Sequence, residues 1–154
     1  MITYQEEKFT NILTEFDKML SVHMAEMNYF QLNGAKFDPD YEKYIRGQQN
    51  NYYTLLTARD DGKLVGYTVF GVCPHIRFKS TLYASEDLYY VDPEYRRRGI
   101  ARQLFKEMEK ILTERGVAFI LSTTKTYLDR SGLLEQNGYN HFEKVFVKKI
   151  KELT

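Results

Sequence analysis

Apolar residues recur along the first third of the chain with the period of a helix face. Phe9, Ile12, Leu13, Phe16, Leu20 and Met27 share one stripe, with His23 on or beside it, so residues 9–27 read as a helix. Ahead of it, residues 2–5 suit a short first strand. Asp38-Pro39-Asp40 supplies cap chemistry for a second, shorter helix over 40–48, on which Tyr41, Tyr44 and Ile45 share a face. Residues 52–58 and 64–73 are then rich in β-branched and aromatic side chains and flank the turn signal Asp60-Asp61-Gly62, which predicts a hairpin. Pro74 has no N–H for a ladder and is expected to end the second of these strands. That leaves 75–79 (His-Ile-Arg-Phe-Lys) as a basic and aromatic loop, either a plain connection or the lip of a substrate site.

The pattern is sharpest further on. Residues 83–91 form another strand, Asp92-Pro93 breaks it, and Arg96-Arg97-Arg98-Gly99 follows. Ile100, Ala101, Leu104, Phe105, Met108, Ile111 and Leu112 then mark one face of a helix over 99–115 that stops at Gly116. Residues 117–121 are continuously apolar, as in a strand covered on both faces. Strand, helix and strand in this order imply a right-handed parallel crossover. A further helix over 128–136 ends at Asn137-Gly138. Residues 139–142 and 145–150 read as two closing strands, with Lys144, Lys148, Lys149 and Lys151 on their wet side.

Composition narrows the class. A chain of 154 residues, 43% hydrophobic and without repeats or linkers, suits one domain with one core. A net charge of +1 creates no global field for nucleic acid or membranes. No apolar run nears the ~18 residues of a membrane span, and no charged-then-apolar leader opens the chain. The single Cys73 can form no intramolecular disulfide, which suits a reducing cytoplasm. His23 and Glu26 lie one helical turn apart, but His75 and His141 are distant in sequence, so no metal site is expected.

The candidate chemistry sits where the basic turn meets the helix. First-turn N–H groups of a helix have no partner within it, and its dipole adds partial positive charge there. Gly99 clears room for close approach, and three arginines surround the turn, so a phosphate or diphosphate suits the place. No Gly-Lys-Ser/Thr follows and only one glycine is present, which excludes the Walker and dinucleotide fingerprints. The plain alternative is a basic surface turn that caps an ordinary helix.

Arg96-Arg97-Arg98-Gly99-Ile100-Ala101 matches Gln/Arg-x-x-Gly-x-Gly/Ala and resembles the coenzyme A pyrophosphate loop of the GNAT N-acetyltransferase superfamily. The strand before it with its Val-x-Pro end, the helix after it, and Leu134-Glu135-Gln136-Asn137-Gly138-Tyr139 fall in that family's order. The resemblance covers residues 50–149 well and the N-terminal third loosely. It implies an α/β (α+β) fold whose mixed, mostly antiparallel central sheet has about six to seven strands, with a central parallel β-α-β unit and about four flanking helices. One domain over 1–154 would then hold acceptor-groove helices at 8–48, a coenzyme A core at 52–137 and a closing hairpin at 139–150. The resemblance implies acetyl-CoA as co-substrate and no metal. The main chain of Leu88, Tyr89, Tyr90 and Val91 would pair with its pantetheine arm like an added strand. The turn of Arg96, Arg97, Arg98, Gly99, Ile100 and Ala101 would take the diphosphate, and Thr123 and Thr124 would line the other side of the arm. The chain also resembles stand-alone bacteriophage acetyltransferases, which would place it in a host cytoplasm.

Acetyl transfer to an amine needs a held donor, a neutral amine and stabilised negative charge. Glu86 and Asp87 begin the cofactor strand, and strict alternation puts Asp87 with Tyr89 on one face and Glu86 with Leu88 on the other. Asp87 is favoured narrowly over Glu86 as general base; a carboxylate paired with a nearby Arg or Lys is the alternative. His23, Glu26 and His75 are candidate substrate-binding residues, with Glu26 and His75 as reserve bases. The chain departs from the family at Leu134, where many members carry a tyrosine that protonates the leaving thiolate, and at Tyr127, where an asparagine is common. Tyr127 is the candidate for the missing hydroxyl. The resemblance implies acetyl transfer onto a primary amine, of a protein lysine or N-terminus or of a small molecule, by a monomer or homodimer. Two alternatives stand beside it. One is a silent module that binds CoA or a protein. The other is a toxin that acetylates aminoacyl-tRNA, against which the small net charge argues.

Overall fold

The computed structural model describes residues 1–153. Strands β1 (Ile2–Glu6), β2 (Tyr53–Asp60), β3 (Lys63–His75), β4 (Phe78–Val91) and β5 (Val117–Leu121) form one five-stranded sheet in chain order. Neighbours run antiparallel except β4 and β5, which are parallel. Helices α1 (Phe9–Glu26), α2 (Tyr29–Leu32) and α3 (Tyr41–Gln49) lie between β1 and β2. Helix α4 (Ile100–Glu114) makes the crossover from β4 to β5, and α5 (Ser131–Gln136) follows.

Each face of the sheet buries its own cluster. Phe9, Ile12, Phe16 and Leu20 of α1 pack on Leu55, Tyr67, Val69 and Tyr90, with Tyr41, Tyr44 and Ile45 of α3 against them. On the opposite face Ile100, Leu104, Phe105, Met108 and Leu112 of α4 pack on Leu56, Val65, Phe70 and Val91, with Leu134 of α5 beside them. Burial of each such side chain contributes about 1.5–3 kcal/mol, so the 3.6-residue stripes of α1 and α4 fix which way those helices face. Helix α1 has no cap from its own chain neighbour. Gln48 at the end of α3 supplies it, accepting from Phe9 N at 2.9 Å and donating to the Glu7 carbonyl at 2.7 Å.

Several expectations are corrected. β3 continues through Pro74 to His75, because a register shift there lets the ladder pass a residue without an N–H. The expected 75–79 loop shrinks to a tight turn, since β4 already begins at Phe78. β5 is not covered on both faces: Phe119 is 66% exposed, and the strand has a ladder partner on one side alone. Helix α5 starts at Ser131, not 128, because the Asp129 carboxylate accepts from Ser131 N at 2.9 Å and the Thr124 hydroxyl from Arg130 N at 2.7 Å, closing a turn ahead of it. The two closing strands over 139–150 do not form, which leaves five strands where six to seven were expected. An isolated hairpin is marginal in water, and His141-Phe142-Glu143-Lys144 holds no turn-setting residue.

Arg59 on β2 clasps Glu7, between β1 and α1, and Glu15 of α1. Burial alone would raise the Glu7 carboxyl, but bonds from Arg59, Gln5 and Thr57 outweigh it and hold it below the usual glutamate value. Arg59→Met strands that carboxylate with its side chain only 10% exposed and is expected to cost about 3 kcal/mol, read as a lower urea midpoint at unchanged slope. In the wild type the contribution is complete above the ordinary glutamate range and is lost as pH falls through the lowered Glu7 value, whereas the variant loses this part of the acid sensitivity.

Candidate active site

β4 pairs with β5 only from Leu82 to Ser85. Beyond Ser85 and Leu121 the two chains part, so one edge of β4 from 86 to 91 has no strand partner. In the same stretch the ladder with β3 shifts: Val69 faces Leu88 but Phe70 faces Glu86, which leaves Asp87 as an extra, bulged residue. The bulge overturns the simple alternation. Ala84, Tyr89 and Val91 face the α4 cluster, as does Glu86, while Asp87 and Leu88 both turn to the α1–α3 side.

On that side Asp87 and Leu88 line a cavity of about 390 Å³ with Met24 of α1, the Phe37-Asp38 segment, Tyr44 of α3 and Tyr53 of β2. The Tyr44 hydroxyl donates to Asp87 Oδ2 at 2.5 Å. Burial, then the Asp87 charge, pushes the Tyr44 phenol far above its usual range, so it is a fixed donor. Glu86 lies on the other face with its side chain 6% exposed, paired with Arg130. Burial raises its carboxyl against the pull of Arg130. The alternative of a carboxylate paired with arginine therefore describes Glu86, and of the two it is Asp87 that is exposed on the cavity.

At the far end of the parted edge, the backbone is left-handed at Arg97 (φ 62°) and Gly99 (φ 77°). A Cβ on Gly99 would meet no atom within 4 Å, so its glycine answers to backbone conformation and to open space outside. No side chain caps α4 and no acidic residue sits in its first turn, where Ile100 is buried and Ala101 half-buried. Its N–H groups are open. Arg97 and Arg98 are exposed and form no ion pair among the described residues, with Arg98 over the Tyr95 ring at 5.0 Å. Arg96 is committed elsewhere. It bonds both Glu26 oxygens at 2.8 Å and the Val91 carbonyl at 2.8 Å, which ties the turn to the end of α1.

The remaining candidates scatter. His23 is buried, its Nδ1 2.8 Å from the Tyr67 hydroxyl and its ring stacked 4.8 Å from Tyr90. Glu26 is held by Arg96, and His75 sits at the end of the β3–β4 hairpin between Phe78 and Tyr83. None of the three lines the cavity. The Thr123 carbonyl and the Thr124 hydroxyl both accept from Arg130. Tyr127 is exposed, in a turn closed by the Lys125–Leu128 bridge, and makes no hydrogen bond among the described residues. Sequence reading missed Arg130 and the cavity roles of Phe37, Tyr44 and Tyr53. The shared face of Tyr41 and Tyr44 was a usable signal, but Arg130 and its partner Glu86 lie 44 residues apart.

A parted parallel strand pair running to an open helix N-terminus is a fold that can hold a long, phosphate-bearing ligand along a strand edge. The chain belongs to the Acetyltransferase (GNAT) family, whose model matches residues 17–139; it is an acyltransferase with acetyl-CoA as donor. Among solved structures it is similar to an aminoglycoside acetyltransferase from an uncultured soil metagenomic sample in complex with sisomicin (18% identity, TM-score 0.73, covering 99% of this chain and 97% of that one). It is also similar to the ribosomal-protein-alanine N-acetyltransferase of Brucella melitensis biovar Abortus (20%, 0.75, 98% and 100%). A third is an acetyltransferase of Clostridium acetobutylicum solved with acetyl-CoA (14%, 0.67, 97% and 96%). No curated protein matches the sequence.

Burial, with Arg130 and Arg96 adding repulsion, lowers His23 to about 4. The unfolded chain takes up a proton near 6.5 that the folded one refuses, so stability is full above that value and falls by up to about 1.4 kcal/mol per pH unit towards pH 4. His23→Gln is expected to remove this slope from denaturation curves collected across that range. Gly99→Ala, which only forces an L-residue into left-handed backbone, should cost about 1–2 kcal/mol by the same measurement.

Proposed function

We propose that this protein transfers acetyl from acetyl-CoA to the primary amine of a small cationic acceptor. The observation that carries this reading is the cavity of about 390 Å³ with the Asp87 carboxylate on its wall, alongside the unpaired edge of β4. Its volume is at the lower end of small-molecule sites. Asp38, Asp40 and Asp87 set three carboxylates against the ammonium groups of Lys36 and Lys43, a net acidic lining for a cation, and Phe37, Tyr44 and Tyr53 offer aromatic surface.

The residues on the donor side fit acetyl-CoA. Open main-chain groups at Leu88, Tyr89, Tyr90 and Val91 suit the amides of its arm, pairing as an added strand does. The uncapped start of α4, from Gly99 through Ile100 to Ala101, together with Arg97 and Arg98, suits a diphosphate. Arg96 acts at one remove, holding the turn through Glu26. Thr123 and Thr124 shape the far wall by anchoring Arg130. When bound, acetyl-CoA supplies an acetyl group activated as a thioester. Asp87 accepts the proton that the attacking nitrogen sheds, and Tyr44 orients it by occupying Oδ2 and leaving Oδ1 towards the acceptor.

Release of free thiol from acetyl-CoA tests the reading with polyamines, aminoglycosides and lysine peptides as acceptors. Turnover is expected with the small amines. Asp87→Asn should lower kcat/KM by about 10²–10⁴-fold and leave the thermal shift with acetyl-CoA unchanged. Turnover with lysine peptides alone would overturn the small-acceptor reading, and binding without any thiol release would make the chain a silent module.

A further inference from the structure

One side chain bridges the gap where β4 and β5 part. Arg130 Nη2 donates to Glu86 on β4 and, at 2.5 Å, to the Thr123 carbonyl just past β5. Its guanidinium lies 4.6 Å from the centre of the Tyr89 ring and 5.8 Å from that of Phe105. These contacts hold the planar group in one orientation at the vertex of the opening. Nη1 is nonetheless buried without a partner among the described residues. The same is true of Glu86 Oε2 and of Ser122 Oγ, whose hydroxyl lies beside both Glu86 and Tyr139 without completing a hydrogen bond to either.

A buried, charged donor left unpaired costs more than a missing neutral hydrogen bond. A guanidinium cannot shed its proton to escape that cost. Glu86 Oε2 and Ser122 Oγ are unpaired acceptors of the chain close by, so it is the place of the guanidinium, fixed where β4 and β5 part, that points to a ligand. Asp87 projects from the opposite face of the strand, one residue from Glu86. An acyl group lying along the unpaired edge has a proton acceptor on one side and a fixed cation on the other. Leu134 is buried in the core and has no hydroxyl to give, and Tyr127 is exposed without a contact to the strand. Arg130 is the cationic donor at the vertex of the opening.

We propose that Arg130 is a catalytic residue whose guanidinium, fixed at the vertex with its side chain 20% exposed, stabilises the sulfur of the departing coenzyme A as a thiolate. The inference rests on the reading of the unpaired β4 edge as the seat of acetyl-CoA. The lone pair of the neutral amine forms the C–N bond, and the proton that nitrogen releases goes to Asp87. The C–S bond breaks with its electron pair passing to sulfur, and Arg130 donates to that sulfur without losing its own proton. The thiolate then leaves as such or is protonated by water. Glu86 is a positioning residue here: it fixes the guanidinium and tempers its charge. Tyr89 and Tyr139, which border the same space, are both pushed up to about 12 by burial and stay neutral while a thiol titrates.

Coenzyme A itself is the probe. Its thiol is titrated by thiolate ultraviolet absorbance, free and bound to the wild type, Arg130→Gln, Arg130→Lys, Glu86→Gln and the double variant Glu86→Gln/Arg130→Gln. In the wild type the bound thiol should titrate about 1–3 pH units below the free one, as expected beside a cation. The shift should vanish in Arg130→Gln, survive in part in Arg130→Lys and grow in Glu86→Gln, where no carboxylate offsets the guanidinium. Turnover should fall about 10²–10³-fold in Arg130→Gln. Should Arg130→Gln fail to fold, with Glu86 left buried and unpaired, the double variant removes both charges and carries the test. An unchanged thiol titration in a variant lacking Arg130, at saturating coenzyme A, overturns the assignment. Absence of any thermal shift by coenzyme A in the wild type would instead sink the reading of the strand edge as the donor's seat.

Discussion

The parting of β4 from β5 is the constraint on which the rest of the molecule depends. Two parallel strands that pair over only four residues and then diverge leave a row of main-chain groups without partners. Such groups are costly to bury and weakly held by water in a cleft. The protein keeps the cleft open with the Arg130–Glu86 pair on the α4 side and with the bulge at Asp87 on the other. Those two devices also aim opposite charges at the same length of strand. The same stretch thus offers hydrogen bonds along its edge and electrostatic polarity across it.

The helices divide the work around that edge. α4 closes one side and begins at the basic turn, where an uncapped helix N-terminus follows the left-handed Arg97 and Gly99. α1 and α3 close the other side and form the cavity. The Arg96–Glu26 pair couples the two, since it fastens the basic turn to the last turn of α1. His23, one helical turn before Glu26, is held neutral by burial between Tyr67 and Tyr90. It belongs to the packing at the end of α1.

Much of this was legible along the chain. α1, α3 and α4 follow their apolar stripes, the basic turn stands before an uncapped helix start, and Asp87 stands out as a carboxylate on the strand that leads to it. The errors share one cause. Alternation assigned Asp87 and Tyr89 to one face, but an extra residue in a strand shows only against its partner, when Val69 and Phe70 are set opposite Leu88 and Glu86. Pro74 was judged by its missing N–H, without the register shift that accommodates it. The apolar run of β5 reads as full burial, although coverage depends on which segments return to lie on it. Residues 139–150 carry strand-like composition but pair with nothing.

By itself, the sequence determined the elements whose reasons are local: amphipathic helices, hairpin turns, and a glycine turn with arginines before a helix. Periodicity and backbone conformation act between residues a few positions apart, so a linear reading captures them. Tertiary structure alone decided which charges meet. Glu86 and Arg130 are 44 residues apart, Tyr44 and Asp87 are 43 apart, and Glu26 and Arg96 are 70 apart. Electrostatic and hydrogen-bond energies depend on separation in space and on the burial around each pair, and neither quantity exists until the sheet has closed.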